Sequence, residues 1–158
     1  MGGNKIKEDL INELFSYARE IMHARHIFPY VSFTVKDYVV VARGYNRERE
    51  TFDLTNQDQV VSIRAAQKAL DTGDLSGYSL YSFFEPTISG FDVALWSGIT
   101  DFHWCINASS YLPSYNAIKY CIADYAKNHP TKITIDPGMR ELEALDIVKI
   151  AEKNEYQI

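Results

Sequence analysis

The stretch 81-YSFFEPTISGF-91 decides how the rest of the chain is read. An aromatic, β-favouring run from Tyr81 to Phe84 ends at Glu85-Pro86, where the proline fixes its own φ and keeps the residue before it extended, so a strand must stop there. Thr87, Ile88, Ser89 and Gly90 then lead into "FDVALWSGI", which has helical spacing. A strand, a turn and a helix in immediate succession present side chains at a helix N-terminus. The residues presented here, Thr and Gly, carry no reactive group.

The pattern extends outward in both directions. Residues 5–26 place Ile6, Leu10, Ile11, Leu14, Phe15, Ala18, Ile21 and Met22 on one stripe of an amphipathic opening helix. "YVSFTV" and "YVVVARG" are β-branched runs joined by Lys36-Asp37, which predicts a hairpin. "QVVSIRAAQKAL" sets Val60, Val61, Ile63, Ala66 and Leu70 on a helical face that ends at "DTGD". Beyond the opening stretch, "DFHWCIN" predicts a strand, a Tyr- and Pro-containing loop precedes the helix "YNAIKYCIADYAKN", and "KITI" predicts a short strand. "DPG" then turns into "MRELEALDIVKIAEKN", an acidic, exposed closing helix. The order is α, β, β, α, β, α, β, α, β, α in one domain over 1–158. Alternation after a single hairpin predicts a mostly parallel sheet covered on both faces.

Composition narrows the function classes. With 46% apolar and 23% charged residues, a chain of 158 residues has the balance of one globular domain that builds its core without staples. No apolar run reaches the roughly 18–20 residues that span a bilayer, so a membrane is not an expected partner. "MGGNKIKEDL" has no apolar signal core, and the expected location is the cytoplasm. The two cysteines, Cys105 and Cys121, fall in different predicted elements without a CxxC, so buried free thiols are expected rather than a disulfide or a Cys-based metal site. A net charge of −5 disfavours nucleic acid, and the densest basic run, "ARGYNRERE", has Arg43, Arg47 and Arg49 diluted by Glu48 and Glu50.

Four segments in this order resemble the cytidine deaminase-like superfamily, in the branch of the tRNA adenosine, guanine and CMP/dCMP deaminases. "FPYVSFTVKDYVVVARGYN" resembles its opening hairpin, with a Pro-aromatic start and a Gly-aromatic-Asn end. "TNQDQVVSIRAAQKAL" resembles the helix with the first zinc ligand, and "EPTISGFDVALWSGI" the turn and helix with the other two. "ITIDPGMRELEALDIVKIA" resembles the closing strand and helix. The resemblance runs over about residues 5–152 and implies a three-layer α-β-α sandwich around a five-stranded mixed sheet. It also implies a homodimer through the helices beside the active site, or pairing as a noncatalytic partner with an active deaminase.

The superfamily's chemistry uses a His and two Cys on Zn²⁺ and a Glu two residues after the His as proton shuttle, in the signature HxE with PCxxC. By the resemblance these positions are Gln57, Gln59, Thr87 and Gly90. Gln59 keeps the reach of a Glu without its titratable proton. Gln57 and Thr87 offer neutral oxygens and Gly90 offers nothing, so no tetrahedral zinc site can be assembled. A shift of register does not restore it, because no His or Cys lies between His26 and His103. The expectation is a zinc-free pseudoenzyme with no catalytic residues and no cofactor, which binds a nucleobase-like or nucleoside-like ligand or serves as a structural subunit.

The expected ligand-binding positions are Asn46, Gln57, Gln59, Phe28, Phe84, Glu85 and Thr87. Asn46 matches the family's pocket Asn and could read a base edge, or it satisfies loop backbone as a turn residue. Phe28 and Phe84 are stacking surfaces or core, and Glu85 is expected to hold its turn by accepting backbone N–H bonds. Relocated chemistry would fall to Asp58, Glu85 or the strand residues Asp101, His103 and Cys105, which share one face at i, i+2, i+4. His23, His26 and His129 read as helix-end or surface residues. A third reading is an interaction module working through the closing helix.

Overall fold

The computed structural model describes residues 2–111 and 122–157. In chain order it contains α1 (Gly2–Arg25), β1 (Val31–Lys36), β2 (Val39–Tyr45), α2 (Glu48–Thr51), α3 (Asp58–Leu70), β3 (Ser79–Phe84), α4 (Ile88–Trp96), β4 (Asp101–Ile106), α5 (Ala108–Tyr111), α6 (Ile122–Asn128), β5 (Thr134–Asp136) and α7 (Glu141–Lys153). All ten predicted elements are present, and α2 and α5 are single turns the sequence did not announce. Cys121, the residues 112–114 of the predicted loop and the start of the helix predicted from 115 lie outside the described residues.

The sheet runs β2-β1-β3-β4-β5. Strand β1 is antiparallel to both β2 and β3, whereas β4 is parallel to β3 and β5. The five-stranded mixed sheet implied by the resemblance is therefore present. The mostly parallel sheet expected from alternation is present in strand direction, since β2, β3, β4 and β5 run one way and only β1, which the hairpin puts between β2 and β3, runs against them. The hairpin turns at Asp37-Tyr38, both with positive φ (48° and 63°), one residue later than predicted. That pair of left-handed residues gives the I′ twist that a two-residue connection requires.

The period-2 pattern of each strand divides its side chains between two cores. Val31, Phe33, Val35, Tyr81, Phe83 and Cys105 join Leu14, Phe15, Ala18 and Met22 of α1 on one face. Ala144, Ile147, Val148 and Ala151 of α7 complete that core, so the closing helix is acidic only on its outer side and not exposed as a whole. Leu80, Phe102 and Trp104 meet Ile63, Phe91, Ala94 and Ile122 on the other face, giving the three layers. Ile6 and Leu70, assigned to buried stripes from spacing, are 49% and 38% exposed, since each lies towards the outer end of its helix. Among the described residues no helix is long and apolar enough to cross a membrane.

Candidate functional site at the N-termini of two helices

Small residues draw α3 onto the sheet. A Cβ at Gly44 would collide with the carbonyl of Asp58 and stand 2.5 Å from the amide nitrogen of Ser62, so only glycine lets the helix approach β2 this closely. The N-terminus of α3 consequently faces that of α4, which starts at Ile88 directly after the Glu85-Pro86 turn. The residues that cap the two helices are Gln57 and Thr87. Thr87 Oγ1 accepts the Gly90 amide at 3.0 Å, a normal N-cap bond.

Gln57 Oε1 lies between the two helix starts and accepts hydrogen bonds from Thr87 Oγ1 at 2.6 Å and from Ser89 Oγ at 2.9 Å. A carbonyl oxygen there is favoured by both positive helix ends. Beneath it Gln59 is buried, at 2% exposure. Its Oε1 has no hydrogen-bond partner among the described residues. A Cβ at Gly90 would stand 2.7 Å from that oxygen and 3.0 Å from the amide carbon, so the Gln59 side chain fills the space a side chain at 90 would need.

These residues do not fit a zinc ion. Three soft or borderline donors are required, and the positions supply a neutral amide oxygen already shared by two hydroxyls, a hydroxyl engaged as a cap, and no side chain at all. Among the described residues no group of three or more His, Cys, Asp and Glu is placed to hold a metal ion.

Asp58, the carboxylate nearest this centre in sequence, turns the other way. It is 4% exposed and accepts a hydrogen bond from Ser32 Oγ on β1, which is 3.0 Å from Ser82 Oγ on β3. Thr34 and Ser62 continue this polar seam between α3 and the sheet, at 2.9 Å. Burial pushes the Asp58 carboxyl up to about 6, against the lowering effect of the Ser32 hydroxyl and nearby backbone N–H groups.

Glu85 accepts the backbone N–H of Ala108 at 2.8 Å and of Ile122 at 2.9 Å. It thus holds backbone by N–H bonds as expected, though those of α5 and α6 rather than of its own turn. Phe84 is 7% exposed and packs on Tyr30 and Tyr111, with ring centroids 4.5 Å and 5.2 Å away.

The open concavity lies on the other side of Asn46. It measures about 220 Å³, with Phe28, Tyr30 and Tyr45 as its aromatic wall and Asn46, Gln157, Arg25, Arg49 and Glu50 as its polar part. Asn46 serves both readings of it: Oδ1 accepts the Glu48 amide at 3.0 Å as a turn residue does, and the residue lines the pocket. Of the seven predicted binding positions, only Asn46 and Phe28 line it. Gln57, Gln59 and Thr87 form the filled centre, and Phe84 and Glu85 stand behind it. Spacing gave no sign of Arg25, nor of Gln157, whose backbone pairs with His26 and Phe28 to close one wall. Tyr45 and Arg49, within three residues of Asn46, were within reach of a reading of "RGYNRERE".

Asp101, His103 and Cys105 share a face as expected, but Cys105 sits in the core with its thiol pushed well above the ordinary range by burial, and takes no part in the hydrogen bonds of the other two. His103 Nε2 is 3.0 Å from Asp101 Oδ2, and Nδ1 is 3.2 Å from Asp136 Oδ2, which also holds Lys7. Tyr81 stacks on the imidazole at 4.1 Å. Burial works to raise both carboxyls, but hydrogen bonds hold Asp101 and Asp136 below their ordinary value; those bonds come from His103 and Ser79 to Asp101, and from Lys7 and His103 to Asp136. His26, at φ 55°, follows the end of α1, His23 is exposed and His129 is half-buried just past the end of α6.

No family model and no curated protein matches the chain. Solved structures do. A tRNA:A34 deaminase that carries out A-to-I editing at the wobble position superposes with a TM-score of 0.65 at 23% identity, over 86% of this chain and 99% of that one. Guanine deaminase from Bacillus subtilis gives 0.61 at 22% identity, over 82% of each chain. Guanine deaminase from Nitrosomonas europaea gives 0.69 at 18%, over 87% of this chain and 82% of that one. The chain has their fold, the cytidine deaminase-like fold.

Proposed function

We propose that this chain is a zinc-free, noncatalytic protein of the deaminase fold that holds a nucleobase-like small molecule in the pocket beside Asn46 and Phe28, in the cytoplasm. The observation that carries this reading is the contrast between two neighbouring places. Where the superfamily needs a metal and a proton shuttle, Gln59 is packed on Gly90 and Gln57 is tied to Thr87 and Ser89. One step away, an aromatic pocket with an amide on its wall is open. The Asn46 Oδ1 is engaged by backbone, which leaves its amide N–H groups to donate to a ring nitrogen or carbonyl. The fold neighbour NE0047 has been solved with 2,6-diaminopurine, and a mutant of it with 8-azaguanine, and planar bases of that kind are the first ligands to try here.

Dispersal of the remaining titratable groups supports binding over relocated chemistry. Asp58 is sealed against Ser32, Glu85 holds backbone, and His103 is clasped between two aspartates on the opposite face of the sheet. No two of these converge on one pocket. The proposal extends to a second copy as partner, since Ile88 and Trp96 of α4 and the nearby Phe52 and Leu54 are large apolar residues left exposed.

Metal analysis of the purified protein, coupled to an ammonia assay, tests the central claim. Neither stoichiometric zinc nor ammonia is expected, together with a rise in melting temperature on addition of purine or pyrimidine bases. Stoichiometric zinc with hydrolytic release of ammonia from cytosine, guanine or adenine compounds would overturn it.

A further inference from the structure

The pocket beside Asn46 has a charge that the rest of the chain does not lead one to expect. Two arginines, Arg25 and Arg49, line it with a single carboxylate, Glu50, and Arg47 stands beside them in sequence, on a chain whose net charge is −5. Arg47 is matched: its guanidinium holds Glu50 at 2.7 Å, and the Tyr45 hydroxyl donates to the same carboxylate at 2.9 Å. Arg25 and Arg49 are not. Arg25 lies over the Tyr45 ring, 5.4 Å from its centroid, and Arg49 donates to the neutral Gln157 amide at 2.7 Å. Among the described residues neither is within ion-pair distance of a carboxylate. Of the nearby acids, Glu50 lines the pocket, where Arg47 and Tyr45 already engage it and Arg25 acts on it at longer range, and Glu155 lines an adjoining depression that shares Arg25 and Gln157 with this one.

We infer that the pocket between Arg25 and Arg49 takes a planar nitrogen heterocycle carrying an anionic group, with the ring against Phe28, Tyr30 and Tyr45 and the anion between the two guanidinium groups. This rests on the reading of the pocket as a nucleobase-like site and names the class of ligand. Guanidinium groups recognise carboxylate and phosphate through charge-assisted hydrogen bonds, and an aromatic wall takes a flat ring without loss of orientation. The Asn46 amide then donates to an acceptor on the ring edge. Size selects further. About 220 Å³ is below the roughly 300–1,000 Å³ of sites for drug-sized molecules, which favours a single ring with its anion attached directly over a full nucleotide.

Isothermal titration of the intact protein with pairs that differ by an anionic group tests the inference: orotate against uracil, nicotinate against its near-isostere nicotinamide, and uridine 5′-monophosphate against uridine. The expected result is that the anionic member binds at least about tenfold more tightly in the heterocyclic carboxylate pairs, a preference that shrinks as salt is raised. Arg25→Gln and Arg49→Gln should abolish that preference while neutral bases still bind, and Arg64→Gln, an exposed arginine held by Asn56 and Thr55, should leave it unchanged. A preference confined to the monophosphate pair would keep the anion site and transfer it to a phosphate source. Equal or tighter binding of the neutral members, or a preference that survives both arginine substitutions, overturns the inference and leaves the nucleobase reading standing. Absence of binding by every compound overturns both.

Discussion

At the scale of single residues, the junction between the N-termini of α3 and α4 is held by two residues that depend on each other. Gln59 fills the space above Gly90, with its Oε1 at 2.7 Å from where a Cβ would be. Gly90→Ala should therefore cost about 1–3 kcal/mol through overpacking, although Ala is ordinarily the better helix former. In a Gln59→Ala background the same substitution should cost less by about 1 kcal/mol or more. A double-mutant cycle by urea unfolding measures the coupling, and additive costs would show that the two side chains do not compete for one space. Asp58 gives a second test. Its folded pKa is raised from 3.8 to about 6, so the protonated form is the one the fold prefers. Its contribution to stability is complete below about pH 3.8 and is lost as pH rises through about 6, at about 1.4 kcal/mol per pH unit, or about 3 kcal/mol in all. Asp58→Asn should flatten the stability profile between pH 4 and pH 6 and leave the variant at least as stable as the parent at pH 7.

Between elements, two junctions carry the argument. The N-termini of α3 and α4 face each other, with Gln57 Oε1 and Thr87 Oγ1 2.6 Å apart. The combined variant Q57H/Q59E/T87C/G90C is expected to bind one zinc per chain, read by metal analysis after dialysis. Failure to bind zinc in a folded variant would mean that the helix ends are not positioned as the superfamily requires. On the opposite face, Asp101 and His103 of β4 are joined to Asp136 of β5 and Lys7 of α1. His103→Ala should cost about 1–2 kcal/mol, because two half-exposed carboxylates lose a shared donor. Both carboxyls are depressed in the folded state, so their contribution is present above about pH 4 and is lost as pH falls through their folded values. The penalty should be larger at pH 5 than at pH 2.5, as read by denaturant midpoints.

For the whole molecule, the question is what covers the exposed apolar residues. Trp96 is 82% exposed, Phe52 97% and Leu54 78%, all on or near the helices whose N-termini meet. Sedimentation equilibrium is expected to give a dimer, and Trp96→Glu to shift it to monomer with little loss of far-UV circular dichroism. A parent protein that sediments as a monomer would remove the second copy from the proposal.

Much of this was legible in the chain. Strong periodicities fixed the type and order of the main elements, because burial of one face imposes 3.6 or 2.0 spacing wherever a segment meets a core. The Glu85-Pro86 turn located the start of α4 to within a few residues, and the absence of His and Cys from 27 to 102 removed the superfamily's ligand set without any structure. Strand order, in contrast, depended on which strand β3 pairs with, and that is settled by contacts far apart in sequence. The same holds for the pocket. Its wall joins the end of α1, the loop after β2 and Gln157, which local pattern cannot bring together. What the sequence determined by itself is which side chains stand at 57, 59, 87 and 90, none of them His, Cys or Glu, since chemical identity needs no coordinates. What only the tertiary structure decided is where the remaining polar groups face: Asp58 inward to Ser32, Gln59 onto Gly90, Arg25 and Arg49 into one pocket. Direction is a property of packing between distant segments, and no residue carries it alone.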